Sequence, residues 1–338
     1  MPCPTAAESE PNGEFWHCAS RFALELLSPI PMLWEVVVIA EQWVVYLDAI
    51  KKMMATPKGM EIDFRKPQGA PALVPADGVS WQIFANPVSL FIGGVAAVLL
   101  ELAEPSVRTG VWEHSSFRQD PLSRLHRTGY AAMVTVYAPR HEAERMIGRV
   151  VRAHDRVRGK TPDGQDYYAN DPRLLDWVHA TATWGFTEAY HLYVHQLTAA
   201  QRSSAFKEGE TAAGLYGASG APNDWLGWEA LLAKTAPTLE DHPIMSEFLD
   251  LMETTPLLPK PLRGAQRLLV RAAVSMTPEP VRSLGRLRDR GLRRGETMLV
   301  RASGRMASLF PMSALPPLQA TKRMQATGEF NAGAAGHS

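Results

Sequence analysis

The chain has 338 residues, of which 46% are hydrophobic and 21% charged, with 35 basic and 35 acidic side chains. That length and balance allow one large domain or two small ones with a sizeable core, and a net charge of zero argues against a general nucleic-acid binder. Only Cys3 and Cys18 are present, outside any C-x-x-C or C-x-x-C-H pattern, which excludes a disulfide framework, a zinc ribbon, an iron–sulfur cluster and covalently attached haem. Charge is unevenly spread: between Lys260 and Arg305 twelve Lys and Arg stand against three Asp and Glu, a local balance of +9 that the remainder offsets with −9.

Residues 1–13 read as disordered. They lack a basic n-region, so no secretory signal is expected and the protein is read as cytoplasmic. Helices are expected over about 14–28 and 32–54, the second from Leu33, Val36, Val37, Ala40, Val44 and Leu47 at helical spacing. The run Met32–Leu47 contains Glu35 and Glu41, and Pro87–Leu100 is too short to span a bilayer, so both read as core helices. Residues 55–79, rich in Pro, Gly and Ala, read as a long loop. The apolar run 87–102 reads as a helix with Pro87 in its first turn. Its Gly93-Gly94 pair allows close helix packing or close approach to a flat ligand, and the pattern favours neither. Asp120 and Pro121 start a helix over 121–137, and another covers 140–158 up to Gly159. Asp171-Pro172 starts a long helix to about Leu197, Thr198 caps the next, and further helices follow at about 222–234, 238–254 and 262–275. Helical pieces continue to about 307, and 311–338 reads as a mobile tail. With almost no strand signal, this predicts an all-α single large helical domain over about 14–310.

Several polar residues fall where chemistry is possible. His154 shares a helical face with Ile147, Val150, Val151 and Val157, which should point at the core. An imidazole there is either a hydrogen-bonded core histidine or placed like a proximal haem ligand. His179 stacks with Leu175, Ala182 and Phe186, and can be a second iron ligand, a pocket wall or a structural hydrogen-bonder. Arg124, Arg127 and Thr128 are neighbours at i, i+3 and i+4, either a solvated face or donors for a bound cofactor. Glu113 and His114 precede this helix in an expected loop, where the carboxylate is either a surface group or a base. Glu188-x-x-His191 followed by His195 is half of a di-iron carboxylate pattern, but the only other E-x-x-H is Glu14–His17 and the set is incomplete. Zinc on His191 and His195 lacks a third ligand.

Read together, the segments W-Q-I-F-A-N-P-V-S-L-F-I-G-G, V-W-E-H-S-S-F-R-Q-D-P-L-S-R-L-H-R-T, H-D-R-V-R-G and Y-A-N-D-P-R-L-L-D-W-V-H-A-T, spread over about residues 80–240, resemble the oxygenase family that contains latex-clearing protein (rubber oxygenase) and MpaB. The resemblance implies an all-helical domain with a globin-like core around a non-covalent haem b, and oxidative cleavage of carbon–carbon double bonds in an isoprenoid substrate by dioxygen. The family's proximal H-x-x-V-R motif maps onto His154 through Arg158, making His154 the expected iron ligand, with His179 as the alternative. The distal R-x-x-K-T motif maps onto Arg124 through Thr128. Its lysine is replaced by Arg127, a poor ligand because it stays protonated, so either His126 coordinates instead or the position is open. Glu113 is the nearest counterpart of the distal glutamate. The implied partners are a small apolar substrate and dioxygen. The basic helices over 262–305 either touch an anionic membrane surface or form a solvated basic face. A rival class is a helical protein that binds a lipid or haem without turnover, and a di-iron oxygenase is a third.

Overall fold

Five helix starts among the described residues share one device, a side-chain acceptor followed by proline. Asn86, Glu104, Asp120, Asp171 and His242 each precede a proline and each accepts a hydrogen bond from a first-turn backbone N–H. The acceptor satisfies a donor that has no partner within the helix, and proline's fixed φ suits the first helical position. In the computed structural model, which describes residues 56, 57, 59–309 and 315–325, these caps open α2 (Pro87–Ala103), α3 (Pro105–His114), α4 (Pro121–Tyr137), α6 (Pro172–Tyr193) and α9 (Pro243–Thr254). The remaining helices are α1 (Val79–Ile83), α5 (Arg140–His154), α7 (Ala199–Tyr216), α8 (Trp225–Thr235), α10 (Arg263–Met276), α11 (Glu279–Arg282), α12 (Glu296–Leu309) and α13 (Pro316–Gln325). The architecture is all-α, as the periodicity predicts. The helices expected over 14–28 and 32–54 lie outside the described residues.

Three local features depart from the expectations. Residues 105–114 are helical, because Glu104 caps them through its Oε2, 2.7 Å from Val107 N. The helix expected to run to 158 stops at His154, and the chain turns into a short hairpin of β1 (Arg158–Lys160) and β2 (Asp166–Tyr168), paired antiparallel with Gly159 opposite Tyr167. Its turn is made by Pro162-Asp163-Gly164, with Gly164 at φ +89° and its N–H on the Thr161 carbonyl at 2.8 Å. Within the segment read as a mobile tail, α13 is fixed by Arg323. This fully buried guanidinium donates to the carbonyls of Phe64 and Ala70 at 2.8 and 2.9 Å.

The α2–α6 pair is the centre of the fold. At their crossing a Cβ on Gly93 would stand 2.5 Å from the Gly185 carbonyl oxygen, and one on Gly185 would stand 2.5 Å from the Gly93 oxygen. Glycine at both positions is what lets the backbones touch. Around this pair one apolar cluster gathers residues of α2, α3, α6 and the helices from α8 to α12, including the stacked Trp177, Trp228 and Trp184. A second cluster joins the segment around Phe64–Trp81 to α4, α5 and α13. Among the described residues no single helix is long and apolar enough to cross a membrane, and most of α2 is buried.

The two adjacent glycines of α2 should answer differently to the same substitution. Gly93→Ala forces α2 and α6 apart and is expected to cost about 2 kcal/mol or more. Gly94→Ala, whose Cβ would meet nothing closer than Phe186 Cε1 at 3.7 Å, should be neutral or stabilising by up to about 1 kcal/mol. Thermal denaturation of both variants checks this, and equal effects would contradict the crossing geometry.

Candidate active site

On α2 the half-buried positions are Leu90, Phe91, Gly94, Val98 and Glu101, while every other residue of the helix is buried. They recur at 3–4 spacing and so form one stripe. By helical rise the stripe runs about 16 Å from Leu90 to Glu101. On α6 the half-buried set includes His179, Thr183, Phe186 and Tyr190 at the same spacing. Phe186 lies beside Gly94 and packs on Phe84 with ring centroids 4.8 Å apart. Gly93 thus serves helix packing, and Gly94 faces the stripe.

Polar groups from four helices meet at the Glu101 end. Thr181 Oγ1 donates to Glu101 Oε1 at 3.4 Å. Burial pushes the Glu101 carboxyl up to about 7, against the opposing pull of Arg124 and Thr181. Arg124 acts electrostatically on both Glu101 and His154. Its Nε is buried without a partner, and it forms no salt bridge with Glu101. Burial lowers its own pKa. Glu101 and Arg124 therefore lie close enough to act on each other without forming an ion pair.

His154, at the C-terminal end of α5, is half-buried, and burial lowers its pKa, so the ring is neutral near pH 7. Its Nδ1 is buried and makes no hydrogen bond, and neither does Asn170 Oδ1. Asn170 nevertheless acts on this ring, raising its pKa against the effect of burial, while its Nδ2 donates to the Val151 carbonyl at 3.1 Å. A proton on Nδ1 directed at Asn170 Oδ1 leaves Nε2 as a free lone pair. That is the tautomer a metal-binding histidine needs. His179 is pushed down to about 4 by burial alone. Its ring makes no hydrogen bond among the described residues. A Cβ on Gly209 of α7 would stand 3.1 Å from its Nε2, so glycine there leaves room for the imidazole. The structural hydrogen-bonder reading of His179 has no partner to support it.

The other sequence-derived candidates lie away from this cluster. Glu113 is exposed, as are Arg127, Thr128 and Arg158. Arg127 Nη2 donates to Ser116 Oγ at 3.0 Å, Thr128 Oγ1 to the Arg124 carbonyl at 2.9 Å, and Arg158 Nη2 to the Asp155 carbonyl at 2.9 Å. His126 is half-buried, its pKa lowered by burial with Asp120 opposing. The enclosed carboxyl is Glu101, which sequence reasoning passed over because it ends an unbroken apolar run. An acid placed one helical stripe along from Gly94 was the available signal.

Among the described residues no three His, Cys, Asp or Glu side chains come together as a metal site. Glu188 of the di-iron pattern is engaged by Arg202 at 2.7 Å, His191 Nδ1 accepts from Leu197 N at 2.9 Å, and His195 is exposed. A single neutral, half-buried histidine is compatible with a ligand that brings its own remaining donors, as a porphyrin does. The orphaned Nδ1 of His154 fits that arrangement.

Residues 81–309 match the family described as ER-bound oxygenase mpaB/B'/Rubber oxygenase, catalytic domain. No curated protein and no solved structure matches the chain.

Glu101 binds its proton more tightly in the folded state than in the unfolded chain, where its pKa is near 4.5. Between those two values unfolding releases a proton, so this group's contribution to stability falls as pH rises from about 4.5 to about 7. Glu101→Gln removes that cost. At about pH 8 the variant is expected to be more stable by up to about 3 kcal/mol, with no difference below about pH 4. Melting curves at the two pH values test it, and a pH-independent difference would show that the carboxyl is not the source.

Proposed function

The chain belongs to this family of oxygenase catalytic domains, and from that premise we propose that it is a haem b-dependent oxygenase of a small apolar substrate of the isoprenoid class. Membership of an oxygenase family favours an enzyme over a helical protein that binds lipid or haem without turnover. The observation that carries the haem assignment is His154: an imidazole kept neutral by burial, with an unpaired Nδ1 beside Asn170, in the H-x-x-V-R motif. His154 Nε2 would hold the iron, with His179 as the alternative ligand. When bound, haem supplies the redox chemistry with dioxygen that no side chain can.

The chain's own residues supply orientation, proton handling and exclusion of water. Glu101 takes the carboxylate role in place of Glu113: with a pKa of about 7 it can accept a proton and return it near neutral pH. Arg124 is a fixed cation opposite it, and its unpaired Nε can orient a polar oxygen as charge develops. Leu90, Phe91, Val98 and Phe186 offer an apolar wall about as long as the stripe, suited to an extended hydrocarbon and hostile to water. Arg127, exposed in the second turn of α4, would serve as a donor for the haem carboxylates.

Full-length protein purified from haem-replete cells should show a Soret band that shifts when carbon monoxide is added after reduction, and stoichiometric iron. His154→Ala should abolish the band. Loss with His179→Ala alone would exchange the two ligands. Iron without a Soret band would favour a di-iron site, and a colourless, metal-free, folded protein would sink the proposal. Glu101→Gln should keep the band and lower kcat by about 100-fold or more, the scale of losing a general acid–base group; unchanged turnover would remove Glu101 from the chemistry.

A further inference from the structure

Helix α12 turns apolar side chains outward. Met298 is 76% exposed, Leu309 70% and Leu299 59%. Met298, Ala302, Met306 and Leu309 recur at i, i+4, i+8 and i+11, and all are exposed. Met298, Leu299, Met306 and Leu309 are four of the seven exposed large hydrophobics among the described residues, where α12 is one helix of thirteen. A helix on the surface of a globular protein normally shows a polar outer face. Scattered exposed leucines need no explanation, but a continuous stripe along three turns does.

The opposite side of α12 is fixed to the domain. Val300 and Gly304 are buried, a Cβ on Gly304 would strike the Tyr193 carbonyl, and Asn86 Nδ2 donates to the Gly304 carbonyl and to Ser308 Oγ, both at 2.8 Å. The stripe is therefore presented by an anchored helix. Its exposed charges are of one sign. Arg301 and Arg305 border the stripe, and Arg293 and Arg294 precede it. The helix's one acid, Glu296, is held by Arg271 through both oxygens, at 2.6 and 3.0 Å. Arg294 and Arg305 have no carboxylate partner among the described residues. On the neighbouring α10, Arg263 and Arg267 are exposed without carboxylate partners as well.

We infer that the outer face of α12 docks the protein on an anionic lipid surface, with Met298, Leu299, Met306 and Leu309 in the acyl boundary and Arg294 and Arg305 among the headgroups. Apolar side chains flanked by arginines free of acidic neighbours are what such an interface selects. A protein partner would need acidic groups around an apolar ridge, a narrower requirement than a lipid surface sets. The inference rests on α12 and its surroundings and is independent of the cofactor.

Co-sedimentation of the full chain tests it, using vesicles of phosphatidylcholine alone or with phosphatidylserine. The protein should pellet with the anionic vesicles, bind neutral ones far less, and be released as salt rises. A variant carrying Met298→Ser and Leu309→Ser should bind about tenfold more weakly or worse. Arg294→Gln and Arg305→Gln should each cost about fivefold. Circular dichroism and melting temperature should match the wild type, since all four side chains point outward. Absence of binding by the wild type, or equal binding to neutral vesicles, overturns the inference. So does a wild-type dimer that the double serine variant converts to monomer without any vesicle binding, because a second copy then covers the face. Resistance of Met298 to peroxide in vesicle-free protein would assign the face to the chain's own residues and overturn it too.

Discussion

Glu101 and Arg124 are neighbours in the protein and form no ion pair. Burial of either charge alone is costly, and a direct ion pair would offset much of that cost. Here the carboxyl meets only the Thr181 hydroxyl, and the guanidinium Nε meets nothing. The consequence is a carboxyl whose pKa sits near neutrality and a neighbouring cation with unused donor capacity. Folding did not arrange these groups for its own stability. Perturbed carboxyl and guanidinium groups of this kind are frequent at functional sites, which is why the proposed chemistry is placed here.

The scaffold explains how the deficit is sustained. Contact between α2 and α6 at Gly93 and Gly185 welds the two helices into a rigid layer, and Trp177 reinforces it by donating its Nε1–H to the Leu100 carbonyl at 3.3 Å. The α4–α5 pair belongs to the other apolar cluster, built on the segment around Phe64–Trp81 and closed by Arg323. Glu101 and Thr181 come from the first layer, Arg124 and His154 from the second pair. The polar groups therefore come from helices that belong to two different apolar clusters. The hairpin after α5 turns the chain back at His154, so that Asn170 reaches the last turn of that helix.

Much of the fold was legible from the chain because its signals are local. Asp120-Pro121 and Asp171-Pro172 mark helix starts that the structure reproduces to the residue, and Thr198 forms the capping box its position suggests. Glu104-Pro105 is the same device with a less usual acceptor, which is why α3 was read as loop. The hairpin was hidden in a polar stretch whose Pro-Asp-Gly turn signal is plain only once the flanking strands are known to pair. Of the candidate site, His154 and His179 stand out in the sequence as histidines on apolar helical faces, and Arg124 through its spacing with Arg127 and Thr128 and the motif they share. Glu101 was not, since its meaning depends on a crossing that places residue 101 beside residues 124 and 181, and no spacing along the chain encodes that. Arg127 and Thr128 illustrate the converse: they share a motif and a helix face with Arg124, yet one turn further along α4 they are exposed.

The family assignment supplies the reaction class, and the enclosed residues supply a physical reason for it. Everything specific about the proposed chemistry depends on His154 gripping a macrocycle between the two helix pairs. The most direct measurement is a crystal structure of the protein prepared with haem. The account predicts planar density between α2–α6 and α4–α5, with iron within bonding distance of His154 Nε2, Nδ1 hydrogen-bonded to Asn170, and Glu101 and Arg124 at the edge of the same space. A His154 side chain turned to solvent, with the region between the helix pairs filled by protein atoms, would contradict it.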